Sequence, residues 1–241
     1  METLSAPRTP LQADLVAMLR AMRDAERDLF AGIPEGRREA SGTIGAWSVK
    51  DVWAHLAAWR AVEARRIAAR AGDMDPLHAA DPPTTEPVDE SNATLQLRHA
   101  DWTWDAVSAE ASASVDALIA AIERSSTDVL CECDDGSVAG IGANGVNHAV
   151  GHLPEISDLA GDRPRFDAFA DQVEAILGSG HLPPRDSGVL LYNIACARAL
   201  SGELDDARRL LRSAFARRHD LAELAKDDPD LIALREELTA S

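Results

Sequence analysis

Apolar residues recur every three or four positions over most of this chain, and that period admits little besides helices. From Pro10 to Ala31 the spaced residues are Leu11, Leu15, Met18, Leu19, Met22, Leu29 and Phe30, and Gly32 with Pro34 ends the run. A second helix opens at Ser48, whose hydroxyl can cap the backbone while Asp51, three residues on, reaches back. It runs to about Arg70 and stops at Gly72. Residues 73–89, rich in proline and acid, read as a crossover loop. A third helix is expected from about Glu90 to Arg124. Asp128 to Gly140 reads as irregular, with room for a short extended piece. A fourth helix from about Ile141 to Leu159 meets its stop at Gly161, and Pro154 inside it predicts a kink just past His152.

Four long helices with one long crossover describe a four-helix bundle, so the expected fold class is all-α. The texture changes after Arg163-Pro164. Phe166 to Leu177 is a shorter helix, Gly178 to Asp186 a Gly/Pro-rich connection, and Val189 to Ser201 pairs with Leu204 to Arg218 across Gly202. A last helix is expected from Pro229 to Leu238. A boundary near Asp162 to Phe166 divides the chain into a bundle, residues 1–162, and a small helical tail, residues 163–241. No repeat recurs three times, so the tail is not a self-standing solenoid.

Hydrophobic residues make up 46% of the chain but aromatics only 4%, which predicts an aliphatic, alanine-rich core. The 41 acidic against 24 basic residues leave a formal charge of -17, a surface that repels phosphate backbones and anionic lipid. Neither nucleic acid nor a membrane is expected as a partner; a small molecule is. Met1 to Leu15 lacks a basic stretch followed by an apolar core, and no segment approaches the length of a bilayer span. Three cysteines, Cys131 and Cys133 with Cys196, do not form a disulfide framework. A cytoplasmic location is expected.

Three histidines are the candidate chemistry. His148 and His152 are four residues apart and share a helical face, within reach of a single ion. Asn144 and Glu155 flank that face as candidate acceptors for the outer ring N–H groups. His55 lies at the edge of the second helix's apolar stripe of Val49, Val52, Leu56, Trp59, Val62 and Ile67. A third imidazole would complete a three-nitrogen site with positions left open, an arrangement suited to catalysis more than to a closed structural centre. The spacing alone equally admits ordinary half-buried histidines bonded to backbone or water. Trp59, one turn beyond His55, reads as core packing or as a pocket wall that binds substrate, and Trp47 before the Ser48 cap as a staple onto the helix. His78, His99, His181 and His219 have no partners at ligand spacing.

The run Trp47-Ser-Val-Lys-Asp-Val-Trp-Ala-His55-Leu, with Asn147-His148-Ala-Val-Gly-His152-Leu-Pro-Glu-Ile156 some ninety residues later, resembles the DinB/YfiT-like superfamily, and within it the ClbS/DfsB branch. The helix from Val88 through His99 is similar to that branch's third helix. The resemblance covers roughly residues 10–162. It implies an up-up-down-down bundle, often a homodimer, whose histidine triad holds a divalent metal such as zinc, nickel or manganese in many members. His55, His148 and His152 match that triad position by position. The activities it implies are metal-dependent transfer of a low-molecular-weight thiol such as mycothiol or bacillithiol, maleylpyruvate isomerisation, or hydrolysis of a reactive natural product. Gly151 departs from the pattern, standing where bulkier or acidic residues are common.

Leu190-Leu-Tyr192-Asn193-Ile-Ala195-Cys196, then Ala199, Gly202 and Ala207, resembles a tetratricopeptide-repeat hairpin, and Leu221 through Leu231 the cap that often follows one. One repeat is too short for the concave groove of an array, so packing on the bundle or at a dimer interface is expected. Gly140-Ile-Gly142-Ala-Asn-Gly145 matches a dinucleotide fingerprint literally but lacks the parallel strand–helix–strand unit that such a site needs. No serine stands in a nucleophile elbow. The leading expectation is therefore a metal-dependent enzyme acting on a small electrophile by thiol transfer or hydrolysis, with His55, His148 and His152 as ligands and Glu155 as base. The alternative is a protein that binds or sequesters a ligand without turnover, its helical tail making protein–protein contacts.

Overall fold

A computed structural model describes residues 8–44, 46–74, 87–131 and 137–239. The regular structure among them is helical throughout, apart from one isolated bridge between Ile44 and Trp47. Most of the expected crossover loop lies outside the described residues, as do His78, Cys133 and residues 132–136, where an extended piece was expected.

Two capping boxes start the first two long helices. In α1 (Pro10–Ala31) the Thr9 hydroxyl accepts from the Gln12 N–H while the Gln12 side chain accepts from the Thr9 N–H. In α2 (Val49–Arg70) Ser48 and Asp51 make the same reciprocal pair. The Gln12 amide then donates to the carbonyls of Ile122 and Ser125, at 2.9 Å each, which ties the start of α1 to the end of a distant helix.

The single third helix expected from Glu90 to Arg124 is two helices, α3 (Val88–His99) and α4 (Trp104–Arg124). Thr103 adopts an extended backbone and its hydroxyl accepts from the Ala106 N–H, so it caps a new helix where the apolar period alone continued. Between Asp128 and Gly140 the described residues form two short helical pieces, Thr127–Cys131 and Ser137–Gly140. The fourth helix also differs in its entry. Ile141–Asn147 is a π-helix, and α-helical geometry begins at His148 in α5 (His148–Ala160). Pro154 lies inside α5, which runs on to Ala160 and ends at the left-handed Gly161, the stop read from the sequence.

These long helices lie side by side: α2 runs along α4, α1 packs on α4 and α5, and α2 closes the circuit against the π-helix and α5. Phe30 stacks on Trp53 at 4.5 Å, and Trp104 closes over Trp53 at 4.9 Å. Beside this aromatic group sits Arg60, with no exposure at all. Its guanidinium donates to both oxygens of Glu26 at 2.7 and 2.8 Å and to the Ser114 hydroxyl at 3.2 Å, while the Trp53 indole N–H donates to Glu26 at 2.7 Å. One ion pair therefore joins α1, α2 and α4.

The tail packs onto the same core. α6 (Arg163–Leu177) is capped by Asp162 and lies across α1 and α5, burying Phe166, Phe169, Val173 and Leu177. α7 (Pro184–Leu200) and α8 (Leu204–Arg217) form the expected hairpin around Gly202, whose φ of 80° suits glycine. Ala195, Ala199 and Ala207 are buried between helices, as their small size predicts. Arg198 is held by Asp167, Asp171 and Glu203. The last expected helix is a 3-10 segment, Pro229–Leu234, followed by a short α-helix, Arg235–Thr239. Buried residues from Leu11 to Leu234 form one continuous cluster that passes through the boundary at residue 162 without interruption.

Two outcomes follow from this packing. Glu26→Ala strands a buried guanidinium and is expected to cost about 3–5 kcal/mol in urea unfolding, whereas Arg60→Met with Glu26→Gln, which keeps an acceptor for Trp53, recovers most of that loss. A chain ended after Gly161 uncovers the faces of α1 and α5 that α6 buries. It is expected to lose cooperative thermal unfolding; a sharp transition at the full-length midpoint would mark the tail as an independent unit.

Candidate metal centre

The capping box sets where α2 begins and the Arg60–Glu26 pair sets its rotation, so His55 faces α5 from inside the core, 7% exposed. Against it, the change from π- to α-helix falls at His148, and His152 follows one turn later on the same face. The three rings converge. Ring centroids lie 4.5 Å apart for His55 and His148, 5.7 Å for His55 and His152, and 5.3 Å for His148 and His152. One nitrogen from each lies within 4.8 Å of the other two. His55 Nε2 and His148 Nε2 stand 2.8 Å apart, a hydrogen bond whose donor is set by the tautomer.

All three imidazoles are held neutral. Burial pushes His55 down from 6.5 to about 2, and the neighbouring His148 and His152 add to the effect because a second positive charge there would be repelled. Burial lowers His148 to about 3, helped by His152 and by the fixed cation of Arg60. His152 is lowered by burial as well. Neutral rings present lone pairs, which is the state a metal ion requires.

This donor set fits a metal. Three imidazole nitrogens suit zinc, nickel, copper or iron, and three protein ligands leave a position open. Two facing Nε2 atoms can use only one lone pair between them in a hydrogen bond; a shared ion uses both. The buried Nδ1 atoms of His55 and His148 have no hydrogen-bond partner. The triad is thus a buried three-histidine group that can hold a metal ion.

The other candidates are engaged elsewhere. Asn144 donates from its amide to Glu63 Oε2 at 3.2 Å and bonds to no histidine. Trp59 is buried in a small cluster with Ala58, Val62 and Leu95, and its indole N–H donates to Asn92 at 3.0 Å, fastening α3 to α2. Glu155 is exposed and lines a groove of about 440 Å³ between α5 and α7, together with Asp158, Cys196 and Asp230. His99 donates from Nδ1 to the Leu95 carbonyl, and His181 pairs with Asp14, so both are engaged away from the triad.

Two further groups bear on this region: Glu63, which sequence reasoning passed over, and Trp47, which it read only as a helix staple. Glu63, two turns beyond His55, is 2% exposed; its Oε1 has no hydrogen bond but lies 3.7 Å from Arg70 Nη1, and burial raises its pKa against the pull of Arg70 and Arg66. Its carboxyl sits over Gly140, where a β-carbon would come within 2.2 Å of Oε1. Trp47 meets His55 edge to face at 4.8 Å. The chain matches no known family model, and neither a curated protein nor a solved structure is found to be similar to it.

The depressed histidine pKa values predict a pH dependence of stability. An unfolded chain binds protons at these histidines as the pH falls through 6.5, while the native site refuses them down to about 3 or 2. Stability is therefore fully present above 6.5 and falls with acidification. At pH 5 each of His55 and His148 is expected to withdraw up to about 2 kcal/mol. Urea unfolding with chelator at pH 7, 6 and 5 checks this: a triple histidine-to-glutamine variant should decline less steeply than the parent between pH 6.5 and 5.

Proposed function

We propose that His55, His148 and His152 form the divalent-metal centre of an enzyme acting on a small electrophilic substrate, by thiol transfer or by hydrolysis. The observation that carries this reading is the convergence of three neutral imidazoles, from helices some ninety residues apart, onto one point inside the core. Histidines kept for helix packing alone find carbonyl or carboxylate partners, as His99 and His181 do. The triad rings instead face one another, with His55 Nε2 and His148 Nε2 2.8 Å apart, an arrangement that a shared ion explains better than helix packing does.

A bound divalent ion would supply Lewis acidity, polarising the substrate or easing the ionisation of a thiol or water. The chain's own residues do the rest. The α2 register presents His55, and the first turn of α5 presents His148 with His152. Burial keeps the rings neutral, so protons compete weakly for the lone pairs down to acidic pH. No nucleophilic side chain is required when a thiol or water attacks. Glu155, exposed on the groove toward α7, does not bond to the triad, so the base role expected for it gains no support from its position.

The same reading takes the four long helices as a DinB-like bundle, followed by a tetratricopeptide-like hairpin. Support comes from the match of the motif histidines to one cluster and from the side-by-side packing of α1, α2, α4 and α5. Zinc, nickel and manganese are the metals proposed, a low-molecular-weight thiol is the proposed co-substrate, and a homodimer the proposed assembly. The net charge of -17 supports a small molecule over nucleic acid as the partner. Among the described residues no helix is long and apolar enough to cross a membrane.

Elemental analysis of the purified chain tests the centre. About one divalent ion per chain is expected, lost from His148→Ala, with the metal-free parent and variant unfolding at similar midpoints. A parent that takes up no zinc, nickel or manganese on titration would sink the proposal.

A further inference from the structure

Metal-bound imidazoles are ordinarily held by an acceptor on their second nitrogen, which fixes both the tautomer and the ring rotation. His55 has none: its Nδ1 is buried and without a hydrogen-bond partner. What meets the ring is Trp47, with centroids 4.8 Å apart and planes at 80°. Trp47 is itself held from both sides. Its backbone N–H donates to the Ile44 carbonyl at 2.9 Å and its carbonyl accepts from the Ile44 N–H at 3.0 Å. The next residue, Ser48, is closed into the capping box with Asp51. The backbone of Trp47 is therefore fixed by the chain that enters α2, and its indole packs against the core.

We propose that Trp47 presents its indole face to the imidazole edge of His55 and is the positioning residue for that ring, standing in for the missing hydrogen-bond acceptor and holding Nε2 toward His148 and His152. The face of an indole is negative and the edge of an imidazole positive, so an edge-to-face contact is attractive and directional. An N–H pointed at the ring adds a weak hydrogen bond. Coordination at Nε2 leaves the proton on Nδ1 and makes the imidazole edge more positive, so the same contact strengthens when the ion binds. A staple role alone requires only an apolar side chain packed on the first turns of α2, which leucine supplies as well as tryptophan. The aromatic face distinguishes the two.

The geometry stands on its own, while its consequence rests on the metal centre proposed above, and the test separates them. Full-length parent, Trp47→Phe and Trp47→Leu are compared by zinc affinity in chelator competition and by histidine ring NMR of the metal-free proteins, with thermal unfolding as control. Trp47→Leu is expected to bind zinc about 10- to 100-fold more weakly and to lose the ring-current shift on His55. Trp47→Phe recovers most of both, although the two variants unfold at similar midpoints. Trp47→Met replaces Trp47→Leu, with the same expectation, should the latter fail to fold. Leucine binding zinc as tightly as the parent, or phenylalanine binding as weakly as leucine, overturns the proposal. A parent that binds none of zinc, nickel or manganese overturns the metal centre instead; the ring spectra then decide, and an unshifted His55 ring in the parent overturns the positioning role.

Discussion

A guanidinium with no solvent contact can exist in a core only if its nitrogens find acceptors, and Arg60 meets that demand through Glu26, Ser114 and the Met22 sulfur. The geometry is demanding because the pair is bidentate and Glu26 also takes the Trp53 indole N–H. Sliding α2 by one residue against α1 or α4 would strand a buried charge. Apolar packing tolerates small slips; this network does not. It therefore sets the rotation and height of α2, and with them the direction of His55.

The same buried cation acts on the site electrostatically. Arg60 is one of the causes that keep His148 neutral, after burial and His152. The interior that makes an isolated charge expensive thus disarms proton competition at three adjacent imidazoles, and a divalent ion is the one cationic ligand that all three lone pairs can share. Trp47 and the capping box at Ser48 hold the other side of His55. The candidate centre is an outcome of the core's construction, not an addition to its surface.

Much of the fold was legible because helices announce themselves locally. α1 was read to its ends from Leu, Met and Phe spacing with Gly32 as stop, and Ser48 with Asp51 marked the start of α2. The break at Thr103 was missed because the apolar period continues across it, although a threonine followed by Trp104-Asp105 carried a cap signal. The π-helix before His148 was missed because the apolar period there does not separate a wider helical turn from an α-helical one. Arg60 and Glu26 drew no notice from motif or spacing. The available signal was that each occupies an inward register, Glu26 between Met22 and Leu29, and Arg60 four residues after Leu56. Asn144 and Glu155 share a helical flank with the histidines on a wheel, yet one turns to Glu63 and the other to the groove beside α7.

The sequence by itself determined that this chain is helical and where most helices start and stop, because caps, periodicity and stop residues act over a few positions. It also made His148 and His152 neighbours, since four residues along a helix is a local distance. Only the tertiary structure decided that His55 joins them, that both of its neighbours stay neutral, and that the tail shares one core with the rest. Those outcomes depend on contacts between residues far apart in the chain and on desolvation, and neither is written in local spacing.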